Sequence, residues 1–150
     1  MRRILSAVVH PWVCDVMGHM NTRHYVAMFD DANYILLSEL DSGVEHGNAS
    51  LGWADAANEI EYLKEVRAGS VVHLEGAIRK VGTKSLTIVM EMRASSSELA
   101  CARMYATIVR FHRSARRAVP LDESIRQAAR SWLDDSADGV SSRVDRAETL

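Results

Sequence analysis

From Thr22 to about Asp41 the chain carries neither Gly nor Pro, and Tyr25, Met28, Phe29, Ala32, Ile35, Leu36 and Leu40 recur at three- and four-residue spacing. That spacing predicts a helix of about five turns with one apolar stripe. Val26, Tyr34 and Leu37 lie off the stripe, between Asp30, Asn33 and Asp41, so the helix is expected to be contacted on more than one side. From about Trp53 to Arg113 the apolar period drops to two. Val72, Leu74 and Ile78 alternate with His73, Glu75 and Arg79, and Leu86, Ile88, Met90 and Met92 alternate with Ser85, Thr87 and Glu91. A chain with one long helix and a run of long strands has few ways to bury both patterns.

The punctuation fits that reading. Residues 4–10 are apolar and β-branched enough for a first strand, which Pro11 ends because it cannot donate to a ladder. Asn21 is a good N-cap for the helix. Residues 42–52 are rich in Gly, Ser, Asn and Asp and read as a loop. Residues 54–65 and 100–112 complete about four long strands, with Gly82-Thr83 and Ser95-Ser96-Ser97-Glu98 as hairpin turns. Pro120-Leu121-Asp122-Glu123-Ser124 opens a short helix reaching about Leu133, and residues 134–150 form a polar tail expected to be mobile. Residues 1–133 are therefore expected to form a single α+β domain, a curved antiparallel sheet wrapped around a long central helix. One helix cannot cover both sheet faces and the edges, so a homodimer or homotetramer is expected.

Composition narrows the function classes. With 47% hydrophobic and 25% charged residues and a formal net charge of −2, the chain gives no general reason to expect nucleic-acid or membrane binding. Its two cysteines, Cys14 and Cys101, have no metal or disulfide spacing, and a reducing cytoplasm is the expected location. The apolar run behind Arg2 and Arg3 is broken by His10 and Pro11 before it reaches the length of a signal peptide core.

Just before the helix stands Asp15-Val16-Met17-Gly18-His19-Met20-Asn21, with Tyr25 following. Asp15, His19 and His24 suggest a metal site at first sight, but Asp15 precedes the helix, the three lack the spacing of facing ligands and no fourth candidate is in reach, so no metal is expected. Cys14, beside Asp15 on an extended segment, points to the opposite face and is expected to be a buried structural residue. Glu59 and Glu61 share one strand face, which reads as solvated.

The order of elements, with this motif, resembles the hotdog-fold acyl-CoA thioesterases of the 4-hydroxybenzoyl-CoA thioesterase and YbgC-like group. Three further pieces carry the resemblance: E-Y-L-K-E-V-R-A-G-S-V-V, with Ser70 where an acid is usual; I-R-K-V-G-T-K-S-L; and A-V-P-L-D-E-S-I-R. Val13 stands where many relatives have an additional aspartate. The resemblance covers about residues 5–128 and implies an enzyme that hydrolyses an acyl-CoA thioester to free acid and coenzyme A, with no cofactor beyond the coenzyme A of the substrate. It implies Asp15 as nucleophile or general base, and the Thr22 amide at the helix N-terminus as the group that polarises the carbonyl. Gly18 would let the backbone approach the substrate, and His19 would orient water, bond the thioester or hold the loop.

Asn21, Tyr25, Arg79, Lys84 and Ser85 are the expected substrate contacts. Lys80, Arg110, Arg113, Arg116 and Arg117 are further candidates for the phosphates, and Met28, Phe29 and Trp53 for the acyl pocket. Two alternatives use the same sequence: a hotdog protein that binds a thioester without hydrolysing it, with Asp15 and Asn21 only capping turns, and a hotdog hydratase or dehydratase.

Overall fold

A computed structural model describes residues 1–42 and 50–134. Most of the expected 42–52 loop and of the 134–150 tail lies outside the described residues. The elements follow the expected order: β1 (Arg2–Val8), a 3-10 turn (Pro11–Val13), α1 (Thr22–Asp41), β2 (Leu51–Tyr62), β3 (Val71–Val81), β4 (Ser85–Ala94), β5 (Ala100–His112), a two-residue β6 (Arg117–Ala118) and α2 (Glu123–Arg130). The strands form one sheet in the order β1-β3-β4-β5-β2, with β6 beside β5. β1 runs antiparallel to β3, from Arg2 opposite Gly76 to Val8 opposite Val71, with an irregularity between Arg3 and Leu5 that leaves Ile4 as the extra residue. The C-terminal segment also joins β3, where Ile78 donates to Trp132 O at 2.8 Å.

The chain packs as two compact units, and α1 and the strands β2 to β5 contribute to both. The first comprises Met1–Leu37, Ile60–Gly76 and Met90–Met104. Here Tyr25, Phe29, Ala32, Leu36 and Leu37 of α1 are buried, as are Val72 and Leu74 of β3 and Met90 and Met92 of β4. Val26 and Tyr34 are exposed, whereas Asn33, read from sequence as part of the polar side, is buried.

Glu91 departs from the alternation in the same way. It is only 5% exposed, and it sits in a row of charges that follows the sheet order. Arg3 of β1 meets Glu75 of β3 at 3.5 Å; Arg93 of β4 reaches Glu75 and Glu91; Arg103 of β5 donates through Nε to Glu91 at 2.8 Å and approaches Glu61 of β2 at 3.8 Å. A buried carboxylate is tolerated because two guanidinium groups satisfy it.

The second unit comprises Ser38–Glu59, Ala77–Val89 and Tyr105–Leu150. Ala77, Val89 and Tyr105 form one buried cluster, and Ile125 and Ala129 of α2 are buried with Leu121 and Trp132. Its polar centre is Arg110, which is 3% exposed. The guanidinium bonds Asp41 at 3.1 Å, lies 3.6 Å from Asp122 and covers the Trp53 ring at 5.0 Å, while Trp53 Nε1 donates to Asp41 at 2.9 Å. The end of α1, the start of β2 and the residue before α2 are thereby tied to one cation. Asp122 has an N-cap backbone but makes no side-chain cap bond.

Removing one partner from a buried ion pair leaves the other charge uncompensated, which costs about 3–5 kcal/mol when the site is fully dry. Glu91→Gln is expected to lower unfolding free energy by about 2 kcal/mol or more, read as a fall in urea midpoint at unchanged m-value. Asp41→Ala should lose less than Glu91→Gln, since Asp41 is part-exposed and Asp122 remains beside Arg110.

Candidate active site

The segment between the 3-10 turn and α1 is a tight loop closed on itself. Asp15 N donates to His19 O at 2.8 Å and Gly18 N donates to Asp15 O at 3.0 Å, while Cys14 and Met20 form an isolated antiparallel bridge. Gly18 has φ +77°, and a Cβ added there would meet nothing within 4 Å. Glycine is therefore favoured there by the left-handed backbone and not by crowding. A second chain segment fastens the loop: Met20 N donates to Val66 O at 2.7 Å, His19 bridges Arg67, and Gly69, with φ +83°, donates to Val9 O at 2.8 Å.

Within this loop Asp15 is exposed, and its two carboxylate oxygens differ. Oδ1 accepts from the Met17 amide at 2.9 Å and the His19 amide at 3.2 Å. Oδ2 has no hydrogen-bond partner among the described residues, so the side chain is held by one oxygen and presents the other.

The start of α1 completes the arrangement. Asn21 is the N-cap: its side-chain oxygen accepts from Arg23 N at 3.2 Å and its carbonyl from His24 N at 2.9 Å. Its own amide donates to Val13 O at 3.0 Å. Among the described residues the Thr22 amide has no acceptor, as expected for a first-turn N–H.

Asp15, His19, Thr22 and Tyr25 line one pocket of about 270 Å³ together with Met20 and the segment Tyr62, Leu63, Lys64 and Glu65. Tyr25 meets Tyr62 edge-to-face at 5.3 Å. Burial pushes the Tyr25 phenol above its usual range, against the opposing effect of a backbone hydrogen bond from Val66, so the ring presents a neutral hydroxyl. His19 Nε2 lies 3.3 Å from Glu65 Oε2.

Tyr62, Lys64 and Glu65 are not among the candidate site residues named from sequence. Their signal was the end of the period-two pattern in E-Y-L-K-E: the strand stops at Tyr62, and Leu63 N and Lys64 N both donate to Cys101 O at 2.9 Å.

Other expected residues fall elsewhere. Arg79, Lys84 and Ser85 do not line this pocket and belong to the second unit. Ser85 closes the β3–β4 turn by accepting from Gly82 N at 2.8 Å. Arg110 is not a surface phosphate contact, because Asp41 and Asp122 engage it in the interior, and Trp53 belongs to that cluster. Phe29 is fully buried core. Cys14 is half-buried at the end of the 3-10 turn and not inside a strand; its thiol donates to His10 O at 3.6 Å. His24 accepts from Arg23 Nε at 3.2 Å, and no three His, Cys, Asp or Glu side chains among the described residues gather as a metal site. No helix among the described residues is long and apolar enough to cross a membrane.

Solved structures share this architecture. A predicted thioesterase from Bacillus stearothermophilus is 19% identical with a TM-score of 0.75, over 87% of this chain and 95% of that one. A Staphylococcus aureus protein solved in complex with CoA is 17% identical with a TM-score of 0.78, over 99% and 94%. The 1,4-dihydroxy-2-naphthoyl-CoA thioesterase of Synechocystis is 15% identical with a TM-score of 0.72, over 83% and 93%. At these identities the likeness establishes the hotdog fold, in agreement with the sequence expectation. No curated protein matches the chain significantly. The sequence profile of the Thioesterase-like superfamily matches residues 9–129, and the chain belongs to that superfamily.

Proposed function

We propose that this protein is an acyl-CoA thioesterase that hydrolyses its substrate at the Asp15 pocket to a free carboxylic acid and coenzyme A. The observation that carries the reading is the pairing of Asp15, anchored through Oδ1 with Oδ2 unengaged, with the unpartnered Thr22 amide on one pocket wall. Thioester hydrolysis needs an oxygen to attack or to activate water, and a donor where negative charge grows on the carbonyl oxygen. Oδ2 supplies the first, either by adding to the carbonyl carbon or by taking a proton from water as it adds. The Thr22 amide at the positive end of a five-turn helix supplies the second. The carbon–sulfur bond then breaks, coenzyme A leaves as thiolate and takes up a proton, and water ends as the hydroxyl of the acid. His19, tied to Glu65, holds the loop and stands at the pocket wall.

A homo-oligomer completes this picture. β2 is a twelve-residue strand at the edge of the sheet, with many part-exposed residues, and pairing with a second copy would cover it. Arg79, Lys84 and Ser85 would then serve the nucleotide end of coenzyme A from their own hairpin. The free thiols of Cys14 and Cys101 are compatible with a reducing cytoplasm.

One observation favours a second reading. Asp15 Oδ1 is spent on two loop amides, which is also what a purely structural turn residue does. A thioester-binding protein without hydrolysis would keep the same loop.

Asp15→Asn separates the two, because an amide oxygen can still accept both backbone bonds while the basic and nucleophilic oxygen is lost. Across a panel of acyl-CoA substrates read with a thiol-reactive dye, turnover is expected to fall at least ~100-fold with coenzyme A affinity retained. Near-normal turnover in that variant would sink the mechanism. Gly18→Ala should cost about 1 kcal/mol through its positive φ, seen as a melting point lower by roughly 2–4 °C, and should reduce kcat less than Asp15→Asn does.

A further inference from the structure

Beside the Asp15 pocket lies a second cavity of about 370 Å³, lined by Lys64, Glu65, Arg67, Ser70, Ser96 and Ser97 around a floor that includes Cys101. Lys64 and Glu65 belong to both linings, so the two cavities share a wall. The charges on that wall are not balanced among themselves. Glu65 points a carboxylate oxygen at His19, 3.3 Å away, while the Lys64 ammonium and the Arg67 guanidinium have no ion-pair or hydrogen-bond partner among the described residues. Elsewhere in the same unit arginines are engaged, as Arg3, Arg93 and Arg103 are in the sheet row. Two uncommitted cations on one cavity wall therefore stand apart.

The rest of the lining suits an anion. Arg67 and Ser70 are fixed relative to each other by a turn in which Ser70 N donates to Arg67 O at 3.2 Å, and Gly69 within it has φ +83°. Opposite them the β4–β5 connection is held by Ser97 N to Ala94 O at 2.9 Å and by Leu99 N to Ser97 Oγ at 3.2 Å. The Ser96 hydroxyl has no partner among the described residues. Ser97 Oγ is itself committed to Leu99 O at 3.4 Å, but a planar guanidinium, an ammonium and the Ser70 and Ser96 hydroxyls match the oxygens of a phosphate or carboxylate.

We infer that this cavity is an anion subsite which binds a phosphate or carboxylate group of the same ligand whose thioester lies at Asp15. The inference rests on the proposed function for the identity of that ligand. The group belongs either to coenzyme A or to the far end of a dicarboxylic acyl chain, and both present the same oxygens to Lys64 and Arg67. Glu65 repels it, and is kept from dominating by His19 and by two cations against its one charge.

The test is calorimetric titration of full-length Asp15→Asn, in which the proposed hydrolysis is removed, and of the same chain carrying Arg67→Gln, Lys64→Gln or the charge-preserving Arg67→Lys. Three probes are used: coenzyme A, with phosphates and no acyl group; S-glutaryl-N-acetylcysteamine, with an acyl carboxylate and no phosphate; and S-butyryl-N-acetylcysteamine, with neither. Either glutamine variant should weaken one anionic probe by about tenfold or more, with Arg67→Lys largely restoring it and the butyryl probe unaffected. Loss confined to coenzyme A assigns the phosphates, and loss confined to the glutaryl probe assigns the acyl carboxylate. Binding of all three probes unchanged within about twofold, or weakened equally, overturns the subsite. Since binding and not turnover is read, a chain that hydrolyses nothing can still show the subsite. A chain that hydrolyses normally but shows no charge dependence loses the subsite and keeps the proposed function.

Discussion

One carboxylate oxygen holds the loop from which the rest of the site follows. Asp15 Oδ1 accepts the amides of Met17 and His19, and the loop can turn back on itself only because Gly18 adopts φ +77°. The return delivers Met20 to the Val66 carbonyl and Asn21 to its capping position, so α1 begins at Thr22 with a free amide beside the same pocket. The features that make this an ordinary helix entry are also those the proposed hydrolysis uses: an oriented carboxylate and an unspent donor at the positive end of a helix. On the proposed function, structure and chemistry compete for one side chain, and its two oxygens divide the work.

Each compact unit relies on buried charge as well as on apolar packing. In the first, Glu91 stands between Arg93 and Arg103 in a row running from Arg3 to Glu61. In the second, Arg110 collects Asp41, Asp122 and the Trp53 face. A hydrophobic replacement of like volume could be as stable as either cluster, but each fixes which side chains meet across strands that are otherwise alternating and apolar. That gives register where periodicity alone leaves it loosely set.

Much of this was legible in the sequence. The helix expected from Thr22 to about Asp41 spans Thr22–Asp41, because the apolar spacing, the Asn21 cap and the absence of Gly and Pro agree. The hairpin turns at Gly82 and Ser95–Glu98 also stand where turn residues interrupt the alternation. What failed had a common cause. Alternation and composition do not report burial by charged partners, so Glu91 was set among the polar positions and Arg110 among the phosphate candidates, although Arg93 and Arg103 engage the first and Asp41 and Asp122 the second in the interior. Asn33 was misread in the same way, and its side-chain oxygen is buried without a hydrogen bond. Strand ends were displaced: β1 runs from Arg2 to Val8, after which Val9 bonds Gly69 and Ser70, and β2 stops at Tyr62, after which Leu63, Lys64 and Glu65 line the pocket of Asp15. Asp15, His19, Thr22 and Tyr25, singled out from the sequence, line one pocket, whereas Tyr62 and Glu65 join them only through the fold.

On the proposed function water, and not the protein alone, finishes a reaction at the Asp15 pocket. Reaction of an acyl-CoA with the purified protein in ¹⁸O-labelled water, followed by mass spectrometry of the acid and quantitation of free thiol, tests it most directly. One labelled oxygen in the acid is expected for each thiol released over many turnovers. Binding of coenzyme A with no labelled acid and no thiol release across the panel would contradict it and leave a thioester-binding protein.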